Sequence, residues 1–295
     1  MLINSTVHLM TRRNLLRVSA AVAGGALATR YYPAAIALAA IPGPAQQAQA
    51  TDQLTAMRAQ FGGMPVQPQK LTDSLTLLSG PGGNVVVLNG PDGKFMGDTF
   101  VLPAWPHLKD ALETISDAPL KTVVDTHWHF DHADNNAAVR AAGAKLIAHE
   151  NTKKRMSETH TLAVLNITLP PSPPEALPEE TFKETHKISM NGETVSLVHI
   201  PPAHTDSDIF IHFEKANVLQ TGDVFFNGFY PYIDSGTGGS LTGMIEGSGK
   251  ILAVVDDNTK IVPGHGPLGS KADLVKFHAV LMTVRDRLRK LKSSG

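Results

Sequence analysis

The sequence predicts an α+β chain in which two β-sheets pack face to face with helices outside, and three observations lead there. Short β-prone runs bounded by Gly, Pro, Asn and Asp alternate with amphipathic helical stretches. The alternation occurs twice, on either side of residues 170–178, where five prolines in nine positions exclude a regular element. A chain of 295 residues with 42% hydrophobic and 18% charged content can bury a large core, which excludes disorder and fibrous structure.

Residues 75–78, 84–88 and 95–101 read as short strands. The turn sequences Gly80-Pro81-Gly82-Gly83 and Pro91-Asp92-Gly93 separate them, so this part is an antiparallel meander. Residues 106–115 follow as an amphipathic helix, 122–125 as a buried strand, 135–142 as an Ala-rich helix ended by Gly143, and 146–148 as another strand. Beyond the proline-rich crossover, 195–200, 209–213 and 218–220 are strands, 241–255 a helix, 260–262 a strand and 273–291 a final helix.

The first fifty residues differ from the rest. They contain Arg12, Arg13, Arg17 and Arg30 but no Asp or Glu, and are otherwise dominated by small and apolar residues. Thr11-Arg12-Arg13-Asn14-Leu15-Leu16-Arg17 resembles a twin-arginine export motif, residues 18–28 form a weakly apolar run, and Ala48-Gln49-Ala50 suits a signal peptidase. The eleven-residue run is too short to span a bilayer, so stable membrane insertion is not expected. The expected organisation is a signal peptide at 1–50, a Gln- and Pro-rich surface segment at 51–70 and a catalytic domain at 71–295. The expected location is the bacterial periplasm or exterior, reached in the folded state.

Charge narrows the partners. Lys and Arg number 26 against 27 Asp and Glu, and removal of residues 1–50 leaves 22 basic against 27 acidic groups, so no field favours nucleic acid. A small-molecule substrate is the expected partner. The absence of Cys excludes disulfides, thiolate metal sites and a Cys nucleophile, which leaves any metal to the 13 histidines and the carboxylates. The basic stretch at 285–292 is interleaved with Leu at helical spacing and reads as a solvated helix face. Gly249-Lys250-Ile251 lacks a Gly at 244 and a hydroxyl at 251, so it reads as helix packing rather than a phosphate loop.

The chemistry concentrates where the 122–125 strand ends, in Thr126-His127-Trp128-His129-Phe130-Asp131-His132. If strand geometry persists, His127 and His129 share a side and can chelate one divalent ion, while Asp131 and His132 offer a carboxylate and a third imidazole to a second. His204, Asp223 and His265 lie in loops after other strands. A single histidine is ordinarily structural, but four metal-type residues within six positions would be costly to bury without a cation.

His127-x-His129-x-Asp131-His132, followed in order by His204, Asp223 and His265, resembles the ligand set of the metallo-β-lactamase-fold hydrolases over about residues 71–291. The resemblance implies a four-layer αββα sandwich with two Zn2+ at one edge, iron or manganese being the alternatives. His127, His129 and His204 would hold the first ion, Asp131, His132 and His265 the second, with Asp223 bridging. It also implies a metal-bridging hydroxide that attacks a carbonyl-derived bond, with Asp131 orienting it and carrying protons. Asp98 sits where the fold often carries a supporting carboxylate; Asp125, Thr126 and Thr205 are further candidates by their nearness in sequence.

Cysteine-type zinc β-lactamases have Cys in place of Asp223 and Lys in place of Phe226, and the cysteine-free subclass usually has Ser at the former position. Ester, thioester and lactone hydrolases keep the Asp, so those substrates are expected ahead of β-lactams. The aromatic run after Asp223 reads either as core or as an apolar substrate wall, with Tyr230 or Tyr232 donating to an oxyanion. The alternatives on the same fold are an iron-dependent dioxygenase and a phosphodiesterase. The sequence does not specify the oligomeric state.

Overall fold

Two sheets carry the structure, a computed structural model that describes residues 44–294. The chain divides into Met1–Gln49 and Ala50–Gly295, and the sheets belong to the second unit. The expected signal motif and apolar run lie outside the described residues. The first sheet has seven strands in the order β1 (Gln67–Lys70), β2 (Leu75–Ser79), β3 (Val85–Leu88), β4 (Lys94–Gly97), β5 (Leu120–Val124), β6 (Lys145–His149) and β9 (Glu180–Phe182). It is antiparallel from β1 to β4 and parallel from β4 to β9. The second orders β10 (Thr185–Met190), β11 (Glu193–His199), β12 (Ile209–Phe213), β13 (Val218–Gln220) and β14 (Lys260–Val262), with only the β13–β14 pair parallel. A separate hairpin pairs β7 (His160–Leu162) with β8 (Ile167–Leu169).

Strand alternation assigns each side chain to a layer. Leu75, Leu77, Val86, Leu88 and Phe95 face the second sheet and meet Val195, Leu197, Ile211 and Phe213; Phe95 and Phe213 pack edge to face at 5.6 Å. Val85, Val87, Met96 and Leu146 point the other way, onto α2 (Trp105–Ile115), α4 (Asn136–Ala141) and α5 (Glu150–Met156). On the far side, Phe210, Leu219 and Ile261 lie under α6 (Leu241–Leu252) and α7 (Lys271–Ser293). The result is four layers, αββα, and each fully buried Val, Leu or Phe contributes about 1.5–3 kcal/mol.

Several boundaries differ from the sequence reading. The strand expected over 95–101 stops at Gly97, because Asp98 and Phe100 adopt left-handed backbone with φ of 67° and 63°. The helix expected over 135–142 is preceded by one further turn, α3 (Phe130–Ala133), which places Asp131 and His132. The segment 51–70 is mostly exposed and carries regular structure that the sequence did not suggest: α1 (Pro44–Gly62) buries Leu54, β1 pairs with β2, and Arg58 forms a bidentate pair with Asp134 at 2.7 and 2.6 Å. α7 begins with a capping box in which Ser270 and Asp273 satisfy each other's backbone N–H groups. Among the described residues no helix is long and apolar enough to cross a membrane.

An imidazole pair, His149 buried and His199 half-buried, joins the two sheets away from the His127–His132 run. The His149 and His199 rings stack at 3.9 Å and 4°, and His149 Nδ1 caps α5 by accepting from Asn151 N–H at 3.2 Å. Burial, and then His199, push the His149 pKa down to about 4, so its lone pair remains available for the cap. Its stability contribution is full above about pH 6.5, the unfolded value, and is lost as pH falls towards 4. Thermal unfolding should show a loss on the order of 2 kcal/mol over this window, and His149→Asn should flatten that limb. An unchanged limb would contradict this role.

Candidate metal centre

Seven side chains from separate loops converge at one edge of the sandwich. The loop after β5 carries His127 and His129 and leads into α3, which carries Asp131 and His132; His204 lies between β11 and β12, Asp223 follows β13, and His265 follows β14. One ligand atom each from His127, His129, His204 and Asp223 lie within 4.8 Å of one another, as do those of Asp131, His132 and His265. Asp223 stands between the groups: its Oδ2 is 3.4 Å from His204 Nε2 and 3.5 Å from His265 Nε2, and its Oδ1 is 3.2 Å from His132 Nε2.

The partners of the outward-facing ring nitrogens assign the tautomers. His204 Nδ1 donates to the Tyr232 carbonyl at 2.8 Å, so its Nε2 carries a lone pair. His129 Nε2 faces Asp234 Oδ2 at 3.3 Å, which leaves the lone pair on Nδ1. These two lone pairs face each other across 2.8 Å, an arrangement that requires a cation or proton between them. His132 Nδ1 donates to Asp98 at 2.9 Å, and His127 Nδ1 faces Thr126 Oγ1 at 3.2 Å, so their Nε2 atoms also point inward. His127 Nε2 and Asp223 Oδ1 are buried with no hydrogen-bond partner among the described residues. Buried imidazole and carboxylate donors left this way fit divalent cations.

Electrostatics give the same result. Burial, followed by the neighbouring His132, holds the His127 imidazole well below its ordinary pKa, which keeps it a free base. At His265 burial opposes protonation, but the carboxylates of Asp223 and Asp131 push the group up to about 10. Asp131 has its pKa lowered to about 2: burial raises it, but His132 and His265 outweigh this. Its carboxylate lies 3.1 Å from His265 Nε2 on the more open side of the site. The cluster therefore demands positive charge, and protons and metal ions compete for the same positions.

Supporting groups fix these rings. Buried Asp98 accepts from Thr126 N–H and Oγ1–H at 2.7 and 2.9 Å, from His132, and from Gln220 Nε2 at 3.1 Å. Its left-handed backbone aims the carboxylate at the cluster. Of the other supporting candidates, Thr126 touches His127, whereas Asp125 binds Asn136 and Thr205 binds Asp208. Close approach explains two glycines: a Cβ at Gly83 would overlap the His132 ring, and one at Gly264 would overlap Asp223 Oδ1.

Two aspartates were not singled out from the sequence. Asp234 holds His129 and is itself held by Thr237 Oγ1 at 2.6 Å. Asp208 accepts from the backbone N–H groups of His204 and Thr205 at 2.7 and 2.9 Å, and burial pushes its pKa up to about 7. Both belong to Asp/Ser/Thr/Gly-rich runs that read only as turns, 205–208 and 234–240. Tyr232 lies with its ring 6.0 Å from His129 and 5.8 Å from His204, and burial pushes its phenol up to about 12. The structure does not bring Tyr230 to the cluster: it is 83% exposed beside Phe229.

Comparison with known proteins matches residues 78–265 to the Metallo-beta-lactamase superfamily, and the chain belongs to that family. It is 29% identical over 174 residues to hydroxyacylglutathione hydrolase of Polaromonas sp., covering 57% of each chain. It is also 25% identical over 162 residues to acyl-coenzyme A thioesterase MBLAC2 of Gallus gallus, covering 48% of this chain and 55% of the relative. The chain thus spans little more than half the length of these curated relatives. In fold it is similar to a metallo-beta-lactamase from Pontibacter korlensis, with a TM-score of 0.61, 17% identity, and coverage of 74% of this chain and 99% of that one. It is likewise similar to the DIM-1 metallo-beta-lactamase, with a TM-score of 0.59, 16% identity, and coverage of 75% and 98%.

Asp234→Ala would release His129 to rotate and change tautomer. Competition with a zinc chelator should show roughly 10–100-fold weaker metal retention while the fold, followed by circular dichroism, persists. Unchanged retention would show that Asp234 does not orient the ligand.

Proposed function

We propose that the chain is a metal-dependent hydrolase that holds two divalent cations, Zn2+ foremost, and cleaves a carbonyl-derived bond in an ester, thioester or lactone. The observation that carries this reading is the two donor groups that meet at Asp223, where His127 Nε2 and Asp223 Oδ1 are buried without hydrogen-bond partners. Cations bound there would make hydroxide available at neutral pH and polarise the oxygen of the scissile group. The two relatives are named for hydrolysis of a hydroxyacylglutathione and of an acyl-coenzyme A thioester, which supports acyl transfer to water here.

The side chains divide the work. His127, His129, His204, His132 and His265 would supply neutral nitrogen donors whose directions are set by Thr126, Asp234, the Tyr232 carbonyl and Asp98. Asp223 would draw the two donor groups together. Asp131, ionised and on the more open side, is placed to orient attacking water and accept its proton. Tyr232 remains a phenol at neutral pH and can donate to developing negative charge on the substrate oxygen. No Ser or Cys nucleophile is required. A β-lactam would lack a cationic anchor at position 226, where Phe stands. As part of the same proposal, the resemblance of residues 11–17 to a twin-arginine motif supports a location in the bacterial periplasm or exterior.

Purified chain loaded with zinc should hydrolyse simple thioesters or lactones, lose activity on chelation and recover it when zinc returns. His127→Ala and Asp223→Ala should each lower kcat/KM by at least about 10³-fold, the scale of losing a principal source of electrostatic stabilisation. Tyr232→Phe should lower kcat more than it raises KM. Full turnover by both ligand variants would refute the assignment.

A further inference from the structure

An apolar cavity of about 600 Å³ lies between the loop after Asp223 and α7. Phe225, Phe226, Phe229, Tyr230, Phe277 and Val280 line most of it. Phe229 and Val280 are 62% and 43% exposed, which is unusual for side chains grouped around one concavity. Lys276, the only cation in the lining, is largely exposed and lies 3.4 Å from Asp273 one turn earlier in α7, so the charge lies towards solvent while the walls are apolar.

The loop that builds this cavity begins and ends at the metal centre. Asp223 precedes it, and at the other end the Tyr232 carbonyl holds His204 at 2.8 Å. In between, Phe226 stacks on His265 with ring centroids 5.4 Å apart and planes 17° apart, and Asn227 N–H donates to the His265 carbonyl at 2.9 Å. Phe229 packs beside Gly266, where an added Cβ would meet its ring edge at 3.3 Å. His265 is also the most exposed of the seven candidate ligands, and Phe226 and Asn227 of the cavity lining are the residues that contact it.

We propose that this cavity is the acyl subsite: it receives the apolar, uncharged chain of a medium-length acyl ester or thioester whose carbonyl sits at the metal centre. This rests on the hydrolase reading above and deepens it by naming the substrate class. The volume falls within the range of small-molecule sites, and the lining rewards burial of methylene groups while offering little to a polar arm. Phe226 forms the wall shared by the two compartments. Phe229 and Val280 select for chain length, acting through contact with the chain rather than with the reacting atoms.

The test uses the full chain, zinc-loaded, with N-acetylcysteamine thioesters from acetyl to octanoyl. The value of kcat/KM should rise roughly two- to fourfold per added CH₂ until the cavity is filled. Val280→Arg and Phe229→Ser, both outside the metal centre, should flatten this rise and leave acetyl turnover within about twofold, the size expected for surface changes. A second readout is independent of turnover: calorimetric binding of the S-octyl thioether of N-acetylcysteamine, which cannot be hydrolysed, should weaken about tenfold in Val280→Arg, the loss expected for a disrupted apolar contact. A flat chain-length profile in an active enzyme, or one unchanged by both variants, would overturn the acyl subsite alone. Thioether binding that is sensitive to Val280→Arg, without hydrolysis of any thioester, would uphold the subsite and overturn the hydrolase reading.

Discussion

Buried lone pairs converging on one small volume are the constraint on which the rest of this structure depends. His129 Nδ1 and His204 Nε2 face each other at 2.8 Å, and both outer nitrogens are already committed as donors. His127 Nε2 and Asp223 Oδ1 add two further buried acceptors without hydrogen-bond partners. Such an arrangement without positive charge would cost several kcal/mol per group. Bound cations would convert that cost into binding energy, so metal retention and fold stability are coupled at this cluster.

The fold meets this constraint by bringing together loops from both sheets. Asp98 ties them: it receives Thr126 and His132 from the first sheet's side and Gln220 from β13 of the second. Gln220 also donates to the carbonyls of Asn84 and Gly97 at 3.1 and 3.3 Å, so one buried amide spans the sandwich beside the site. The inter-sheet Val, Leu and Phe layer provides the platform, and the left-handed Asp98 backbone is held by its N–H bond to the Val124 carbonyl and by the bonds its carboxylate accepts. Glycine at 83 and 264 gives the ligand side chains room that any other residue would occupy.

Much of this was legible in the sequence because it depends on short-range pattern. The continuous apolar Val85–Leu88 run and the amphipathic residues of α2 have local signatures, and the structure places strand and helix there; the proline-rich crossover, expected to hold no regular element, contains one short 3₁₀ turn at Pro174–Ala176. The candidate metal-ligating residues that the structure brings together were legible because His and Asp crowd into six positions and recur after later strands. Asp234 and Asp208 were not, since their role comes from where a turn sits in space. β7, β8 and β9 are three residues each, too short to show periodicity. The early stop of β4 at Gly97 follows from tertiary demands on Asp98, which outweigh the β-propensity of Phe100 and Val101.

The account's central claim concerns charge, and metal stoichiometry tests it most directly. Elemental analysis of the purified chain after dialysis against a small excess of zinc should give two ions per chain, falling to one or fewer in Asp223→Ala. A chain that retains no metal, or a variant that still binds two ions as tightly as the parent, would contradict it.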